Sequence, residues 1–266
     1  MRFVVIRGIT ATMRFASLGS GSEGNCLVVE VGSTRILADC GFTLKETIAR
    51  LERNGIEPSS VSAVLITHEH DDHVGGAGRF ARKFGVPVWL TYGTLQAAQD
   101  QFSAVGVEVF DCHQRFSVGA IAIEPYTVPH DAREPAQFVF GDGNARVGLL
   151  TDAGSLTPHM RSTLSGLDAL ILECNHDLEM LGKSSYPRQL KQRISGSFGH
   201  LDNTAAARLL ESIDCSRLQH LVAAHLSLSN NTPELAGAAL AGALNCTQDW
   251  IGIATQADGF AWRQVA

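Results

Sequence analysis

Three histidines and three acidic residues occupy the six consecutive positions from His68 to His73, in the order His-Glu-His-Asp-Asp-His. They come just after the apolar run Ala63–Ile66, which predicts a buried strand that ends in a loop. Imidazole and carboxylate are ligands that zinc, manganese and iron accept. A solvated polar loop is the ordinary alternative, but three histidines and an aspartate at this spacing are hard to explain that way. The pattern therefore predicts that His68, His70, Asp72 and His73 bind metal.

Three further polar residues lie at the ends of apolar runs later in the chain. His130, Asp152 and His225 each follow a run that predicts a strand. Any one of them alone could be an ordinary loop residue. The four candidates of the first loop cannot fill two metal sites, however, so partners must come from other strand ends. We therefore expect these three residues to complete a metal centre.

The H-x-H-x-D-H loop, taken with the later His, Asp and His, resembles the metallo-β-lactamase superfamily over nearly the whole chain from Met13. The resemblance implies two divalent transition-metal ions, with zinc as the first expectation and manganese or iron as alternatives. One ion would be held by His68, His70 and His130, the other by Asp72, His73 and His225, and Asp152 would bridge both. An aspartate bridge is similar to that of hydrolases of phosphodiesters and thioesters rather than of the β-lactamases themselves.

Four stretches of the chain resemble the WalJ/YycJ branch of this superfamily, at 15–26, 172–177, 199–203 and 224–227. That branch implies 5′→3′ exonuclease activity on double-stranded DNA. The chain also resembles the tRNA 3′-processing endonucleases, in which a His–Glu pair near the metals assists the leaving group. The corresponding residues here would be His200 and Glu173. The chain lacks both the long inserted arm of those enzymes and a β-CASP insertion between Asp152 and His225, which sets it apart from these relatives.

The implied metal pair leads to a hypothesis for catalysis. Two metals about 3.5–4 Å apart would generate a bridging hydroxide at neutral pH and bind a phosphoryl oxygen. We expect Asp72, besides binding metal, to orient the hydroxide, and Asp152 to hold the metals at their spacing. His200, positioned by Glu173, would protonate the departing sugar oxygen. The predicted catalytic residues are therefore Asp72, His200 and Glu173.

Two stretches are candidates for binding the substrate. The glycine-rich loop 19–25 carries hydroxyl and amide groups on Ser20, Ser22 and Asn25 that could approach a phosphate, although it could equally be a tight turn under the metals. The segment 183–193 carries basic residues that could bind a nucleic-acid backbone and a tyrosine that could stack on a base. These are Lys183, Tyr186, Arg188, Lys191 and Arg193. A solvated helix face is the ordinary alternative for such a cluster.

The composition limits the classes of function. The 266 residues carry a net charge of −6, whereas a non-specific nucleic-acid binder usually has a broad basic excess. A DNA site would therefore be local. A small-molecule metallo-hydrolase, acting on a thioester or a cyclic phosphodiester, stays open as the alternative to a DNA exonuclease. Purely structural metals are disfavoured, because structural zinc sites close with four protein ligands and this set leaves positions for water.

The sequence also indicates the cellular setting. Six scattered cysteines without a C-x-x-C motif fit buried thiols in a reducing cytoplasm. No apolar run approaches the roughly 18 residues that a membrane-spanning helix needs, and residues 1–12 lack the features of a signal peptide. We expect a cytoplasmic protein with no membrane partner. The oligomeric state stays open.

The elements that must position these residues are short strands alternating with helices. Predicted strands are 14–18, 26–31, 34–38, 63–67, 86–90, 121–128, 137–141, 147–151, 169–173, 218–224, 252–254 and 260–265. Predicted helices are 43–53, 73–84, 95–102, 203–213 and 233–244. Sheets inside and helices outside give an α/β fold, a four-layer α/β/β/α metallo-β-lactamase sandwich. We predict a single domain of residues 13–266, with residues 1–12 as an N-terminal extension or an added edge strand.

Overall fold

Fourteen strands form two sheets in the computed structural model of the protein, which describes residues 12–266. In chain order they are β1 (Arg14–Gly19), β2 (Cys26–Val31), β3 (Thr34–Ala38), β4 (Ala63–Leu65), β5 (Val88–Leu90), β6 (Val107–Val109), β7 (Phe116–Val118), β8 (Ile121–Thr127), β9 (Ala136–Gly141), β10 (Arg146–Leu150), β11 (Ala169–Glu173), β12 (His220–Ala224), β13 (Gly252–Ile253) and β14 (Phe260–Gln264). The first sheet has the order β14-β1-β2-β3-β4-β5-β6 and the second β13-β12-β11-β10-β9-β8-β7.

The two sheets pack face to face because successive side chains of a strand point to opposite sides. In β2, Leu27 and Val29 belong to the core between the sheets, whereas Val28 belongs to the core on the outer side. Phe138 and Ile171 of the second sheet fill the same inner core. Because most strands bury both faces, the outer faces need helices to cover them.

Helices cover both outer faces. They are α1 (Leu44–Arg53), α2 (Asp71–Val74), α3 (Ala77–Phe84), α4 (Tyr92–Ala98), α5 (Pro158–Thr163), α6 (Leu178–Lys183), α7 (Arg188–Ile194), α8 (Asn203–Glu211) and α9 (Pro233–Leu244), with 3₁₀ turns at Pro58–Ser60, Gln99–Phe102 and Gln248–Trp250. Leu51 and Phe80 pack on the first sheet, and Leu209 and Leu240 on the second. The predicted four-layer sandwich is confirmed.

The helix predicted over 73–84 is wrong in its bounds, because the chain breaks at Gly75 and Gly76 into α2 and α3. The N–H of Gly76 donates to the carbonyl oxygen of Cys40 at 2.8 Å. A Cβ at Gly76 would lie 1.9 Å from the carbonyl oxygen of Phe42, so only glycine allows this approach. The break thereby brings the H-x-H-x-D-H loop against the end of β3.

Several short elements lie outside the predicted ones. β6 and β7 are three-residue strands at sheet edges, too short for an alternating pattern to identify. α7 begins within the basic segment 183–193, and α6 ends at the first residue of that segment. The helix predicted at 95–102 begins earlier, at Tyr92, because the side chain of Thr91 accepts a hydrogen bond from the N–H of Thr94 and caps it.

Strand direction brings the candidate ligands together. β10, β11 and β12 are parallel, and β8 and β10 both run antiparallel to β9, so these four strands end at one edge of the second sheet. β3 and β4 are parallel and end together in the first sheet. His130, Asp152, Glu173 and His225 lie at or just past the ends of the first group, and His68 follows β4.

Three expectations concern the rest of the chain. The predicted extension of residues 1–12 lies outside the described residues except for Thr12, and the single domain from Met13 stays a prediction. Within residues 12–266, no helix is both long enough and apolar enough to cross a membrane. The six cysteines carry free thiols.

Candidate metal centre and active site

Three histidine nitrogens converge beyond the end of β4. Nδ1 of His70 lies 3.0 Å from Nε2 of His68 and 3.2 Å from Nε2 of His130. Nitrogen ligands of one tetrahedral zinc ion are about 3.3 Å apart, given Zn–N distances near 2.0–2.1 Å. The three nitrogens therefore have the spacing that a single metal ion needs.

A second group forms around two aspartates. Oδ2 of Asp72 lies 3.3 Å from Nε2 of His73 and 3.5 Å from Nε2 of His225. Oδ2 of Asp152 lies 3.1 Å from Nε2 of His73, and its Oδ1 lies 3.6 Å from Nε2 of His225. The same Oδ1 is 4.0 Å from Nε2 of His130. Asp152 thus lies between the two groups, where a bridging ligand would have to be.

Two buried polar atoms of this centre have no hydrogen-bond partner among residues 12–266, namely Oδ2 of Asp152 and Nε2 of His225. Nε2 of His73 lies 3.1 Å from that oxygen but forms no hydrogen bond with it. Unpaired buried polar atoms are rare in folded proteins. Both atoms belong to sets of ligand-type atoms that lie within 4.8 Å of one another. Divalent cations would satisfy both, so the side chains fit metal ions.

Carboxylates determine the protonation of the histidines. Burial alone would lower the pKa of His225, but Asp152, Asp72 and Glu173 raise it to about 10. Burial lowers the pKa of His68, so that its ring is neutral, as a metal ligand must be. Burial alone would raise the pKa of Asp152, but His225 and His73 hold it well below its usual value. The ionised carboxylates therefore attract cations to the centre, whether protons or metal ions.

His200 and Glu173 form a hydrogen-bonded pair beside the centre. Nδ1 of His200 lies 2.8 Å from Oε1 of Glu173, which is fully buried. Oε2 of Glu173 accepts hydrogen bonds from the backbone N–H groups of Ala153 and Leu201, both at 3.0 Å. Burial alone would raise the pKa of Glu173, but His200 and His225 lower it to about 2. Burial alone would lower the pKa of His200, but Glu173 raises it. An ionised carboxylate thus supports a protonated imidazole whose Nε2 is left to donate.

A cavity of about 430 Å³ opens over the centre. Asp72, Asp152, His200 and His225 line it. Its volume is within the range of about 300–1,000 Å³ that is usual for sites that bind small ligands.

A family model described as the beta-lactamase superfamily domain matches residues 34–225, which is more than half of the chain. The matched range contains all seven predicted metal ligands. The chain belongs to the beta-lactamase superfamily. The resemblance inferred from the H-x-H-x-D-H loop is confirmed.

Relatives of this superfamily member include two proteins named exodeoxyribonuclease. The chain is 35% identical to exodeoxyribonuclease YycJ of Bacillus anthracis over 227 residues, which cover 84% of this chain and 86% of that protein. It is 34% identical to exodeoxyribonuclease WalJ of Streptococcus pneumoniae over 228 residues, 84% of this chain and 85% of that one. The predicted likeness to the WalJ/YycJ branch is confirmed.

Solved structures show the same superfamily fold. The metallo-beta-lactamase fold protein YhfI from Bacillus subtilis matches with a TM-score of 0.76 and 17% identity, covering 96% of this chain and 99% of that one. Zn(2+)-bound PqqB from Methylobacterium extorquens matches with a TM-score of 0.74 and 16% identity, covering 94% of this chain and 99% of that one. At these identities the likeness concerns the fold alone.

Asp39 is a residue beside the centre that the sequence reasoning missed. Its Oδ2 lies 2.7 Å from Nδ1 of His73, and its Oδ1 accepts a hydrogen bond from the N–H of Thr67 at 2.9 Å. Asp39 thereby orients the His73 ring so that Nε2 faces the centre. The signal was present, because Asp39 directly follows the predicted strand 34–38, just as Asp152 and His225 follow theirs.

Three strand-end residues share an uncommon backbone conformation. Asp39, Asp152 and His225 have φ angles of 63°, 51° and 55°. The left-handed region is uncommon for residues with a side chain and is unfavourable by about 1–2 kcal/mol. Each residue turns the chain where its strand ends and places its side chain in the centre. Strain at three such positions is typical of functional sites.

Two of the three predicted substrate-binding residues in the loop 19–25 are buried inside the protein. Oγ of Ser20 accepts a hydrogen bond from the N–H of His225 at 2.9 Å and donates to Oδ1 of Asn25 at 3.2 Å. Nδ2 of Asn25 lies 3.3 Å from the carboxylate of Asp72. Ser20 and Asn25 are buried, so they support the ligand loops and do not line the cavity. Ser22 does line it, and its contact with substrate stays a prediction.

The basic segment reaches the cavity through two of its five predicted residues, Tyr186 and Arg193. Lys183 pairs with Glu179, and Nζ of Lys191 donates to the carbonyl oxygen of Gly182 at 2.7 Å. The cavity is lined instead by Tyr186, Leu190, Arg193 and Ile194. At 3.6 residues per turn, Arg188 and Lys191 lie on other sides of α7 than Arg193. Lys183, Arg188 and Lys191 therefore lie outside the cavity lining, and their contact with substrate stays a prediction.

Proposed function

We propose that this protein is a binuclear metal-dependent phosphodiesterase that degrades DNA as an exonuclease in the 5′→3′ direction. The observation that carries the proposal is the convergence of seven ligand side chains and the His200–Glu173 pair on one centre, over which a cavity opens. It is supported by the 35% identity to a protein named exodeoxyribonuclease. The direction is the one that the resemblance to the WalJ/YycJ branch implies.

Two divalent transition-metal ions are the proposed cofactors, zinc in the first place and manganese or iron as alternatives. His68, His70 and His130 would hold one ion, Asp72, His73 and His225 the other, and Asp152 both. When bound, the metals would supply Lewis acidity and activated water at neutral pH. The remaining chemistry belongs to the side chains around them.

The two aspartates differ in access, and this divides their tasks. The side chain of Asp72 is 24% exposed and lines the cavity, whereas that of Asp152 is 3% exposed. Asp72 can therefore accept a hydrogen bond from the attacking water and orient it. Asp152 is confined to holding the centre together.

His200 is the proposed general acid. It lines the cavity, and Glu173 holds its Nδ1, so Nε2 donates the proton to the departing sugar oxygen. An alkoxide is a poor leaving group, and a positioned acid typically accelerates such a departure by about 10²–10⁴-fold. Glu173 acts by positioning the ring and stabilising its charge.

A small-molecule hydrolase is the second candidate. The observation that favours it is the acidic character of the protein, with a net charge of −6, and of the cavity, which Asp71, Asp72, Asp131 and Asp152 line. A thioester or a cyclic phosphodiester carries far less negative charge than a DNA strand.

The test compares three substrates with manganese or zinc present: end-labelled duplex DNA, bis-p-nitrophenyl phosphate and a glutathione thioester. We expect duplex DNA to be shortened from its 5′ ends. Asp72→Ala should be nearly inactive, and Asp258→Ala, whose parent side chain is 77% exposed, is the matched control with an unchanged rate. Thioester turnover with intact DNA would support the second candidate. Shortening from 3′ ends alone would contradict the direction, and no hydrolysis of any substrate would contradict both candidates.

A further inference from the structure

The cavity has one permanent positive charge in an acidic lining. Asp71, Asp72, Asp131 and Asp152 line it, and Arg193 is the one lysine or arginine that does so in the described part of the chain. Asp72 and Asp152 are proposed to bind metal, which leaves Asp71 and Asp131 to repel a polyanion. A DNA strand that enters this cavity therefore needs Arg193 more than it would in a basic groove.

Arg193 is held in place at the cavity wall. Its Nε lies 2.6 Å from Oδ2 of Asp131, while the guanidinium keeps its remaining N–H groups. The other oxygen of Asp131 lies 3.5 Å from Nε2 of His130, a predicted metal ligand. The backbone N–H of Asp131 donates to the carbonyl oxygen of Phe198 at 2.9 Å. The Asp131 carboxylate thus lies between Arg193 and the predicted metal ligand His130. The phosphate next to the scissile one would then lie beside Arg193.

Stability does not explain this arrangement well. The side chains of Arg193 and Asp131 are 62% and 32% exposed, and exposed ion pairs contribute little to folding. Tyr186, Leu190 and Ile194 line the same cavity as Arg193. A cation beside an aromatic ring and aliphatic side chains matches a nucleotide, which has a charged phosphate beside an apolar sugar and base face.

We propose that Arg193 is a substrate-positioning residue that binds the phosphate next to the scissile phosphodiester of a DNA strand. The apolar side chains beside it contact the sugar and base of the same nucleotide. The inference rests on the proposed nuclease function and names the contact that lets an acidic protein bind DNA in this cavity. Lysine at this position would keep the charge but lose the planar fork that binds Asp131 and a phosphate together.

The experiment measures kcat/KM on duplex DNA between about 50 and 200 mM salt. It compares the wild-type protein with Arg193→Ala, Arg193→Lys and Arg208→Ala. Arg208 is an exposed arginine of α8 outside the cavity and is the matched control. Thermal unfolding and metal content of each variant report on folding. Turnover of bis-p-nitrophenyl phosphate, which has no neighbouring phosphate, reports on the metal centre.

We expect Arg193→Ala to lower kcat/KM on DNA about ten-fold or more, chiefly through KM, and by a larger factor than on the small diester. The slope of log kcat/KM against log salt should become shallower by about 0.7–0.9, the value for one lost phosphate contact. Arg193→Lys should recover part of the loss, and Arg208→Ala should match the wild type. If Arg193→Ala has the wild-type rate and slope on DNA, this inference is wrong and the nuclease proposal stands. If the wild-type protein leaves DNA intact, both the nuclease proposal and the Arg193 inference are wrong.

Discussion

Replacing His200 by alanine tests the proposed general acid with little disturbance of the rest of the centre. The side chain is 22% exposed, so its removal opens no deep cavity. Glu173 would keep the hydrogen bonds from Ala153 and Leu201 and its contact with Nδ1 of His225 at 3.3 Å. The loss in free energy of unfolding should therefore stay near that of one charged hydrogen bond, about 1.5–3 kcal/mol. The seven proposed ligands are all retained.

The catalytic effect should depend on the leaving group. On DNA, where an alkoxide departs, loss of the acid should lower kcat about 10²–10⁴-fold, equivalent to about 3–5 kcal/mol of activation free energy. Nitrophenolate leaves without protonation, so bis-p-nitrophenyl phosphate should lose less than about ten-fold. The assay measures kcat on both substrates for wild type, His200→Ala and the control His159→Ala, whose parent residue is exposed on α5. Metal content is determined for each.

Three results would refute this reasoning. Equal losses on both substrates would mean that His200 does not act on the leaving group. Loss of one metal ion from His200→Ala would mean that His200 is a metal ligand. Metal content tests this directly, because Nδ1 of His200 lies only 3.5 Å from Oδ1 of Asp152. An unchanged rate on DNA would remove the acid from the mechanism altogether.

Three further predictions address the supports of the centre. Asp39→Asn should weaken zinc or manganese binding about 10–100-fold in a chelator competition, because the His73 ring loses its carboxylate partner. Unchanged affinity would show that the 2.7 Å contact between Asp39 and His73 does not orient the His73 ring. Chelation should lower the Tm and added zinc or manganese should restore it, since the folded centre alone binds the ions; a Tm indifferent to metal would contradict the centre. Gly76→Ala should destabilise the fold by about 1–3 kcal/mol in urea unfolding, because its Cβ would meet the Phe42 carbonyl oxygen. The control is Gly182→Ala, which has open space at its Cβ and should be neutral or stabilising. Equal stability of the two glycine variants would count against the close approach.

The grouping of the proposed metal ligands could be predicted from the sequence, because strands that run in the same direction end at the same edge of a sheet. A polar residue that follows a buried apolar run must lie at the end of a strand, and parallel strands in one sheet share that end. This rule made His130, Asp152 and His225 candidates, and the family resemblance then assigned them to one centre. Asp39 obeys the same rule and could have been included. The left-handed backbone that aims its side chain at the centre leaves no mark in the residue types.

The substrate-binding side chains could not be predicted in the same way. Composition located the basic segment 183–193, but the residue that meets the cavity depends on how α7 is rotated against the metal loop. Two positions along a helix correspond to about 200° of rotation, so Lys191 and Arg193 face nearly opposite directions. On the side of α7 that faces the cavity, Arg193 pairs with Asp131, which lies 62 residues earlier in the chain. Asp131→Asn should loosen the guanidinium but also remove a charge that repels DNA, so it should lower the affinity for DNA less than Arg193→Ala does. A loss as large as that of Arg193→Ala would instead mean that the pair positions α7 as a whole.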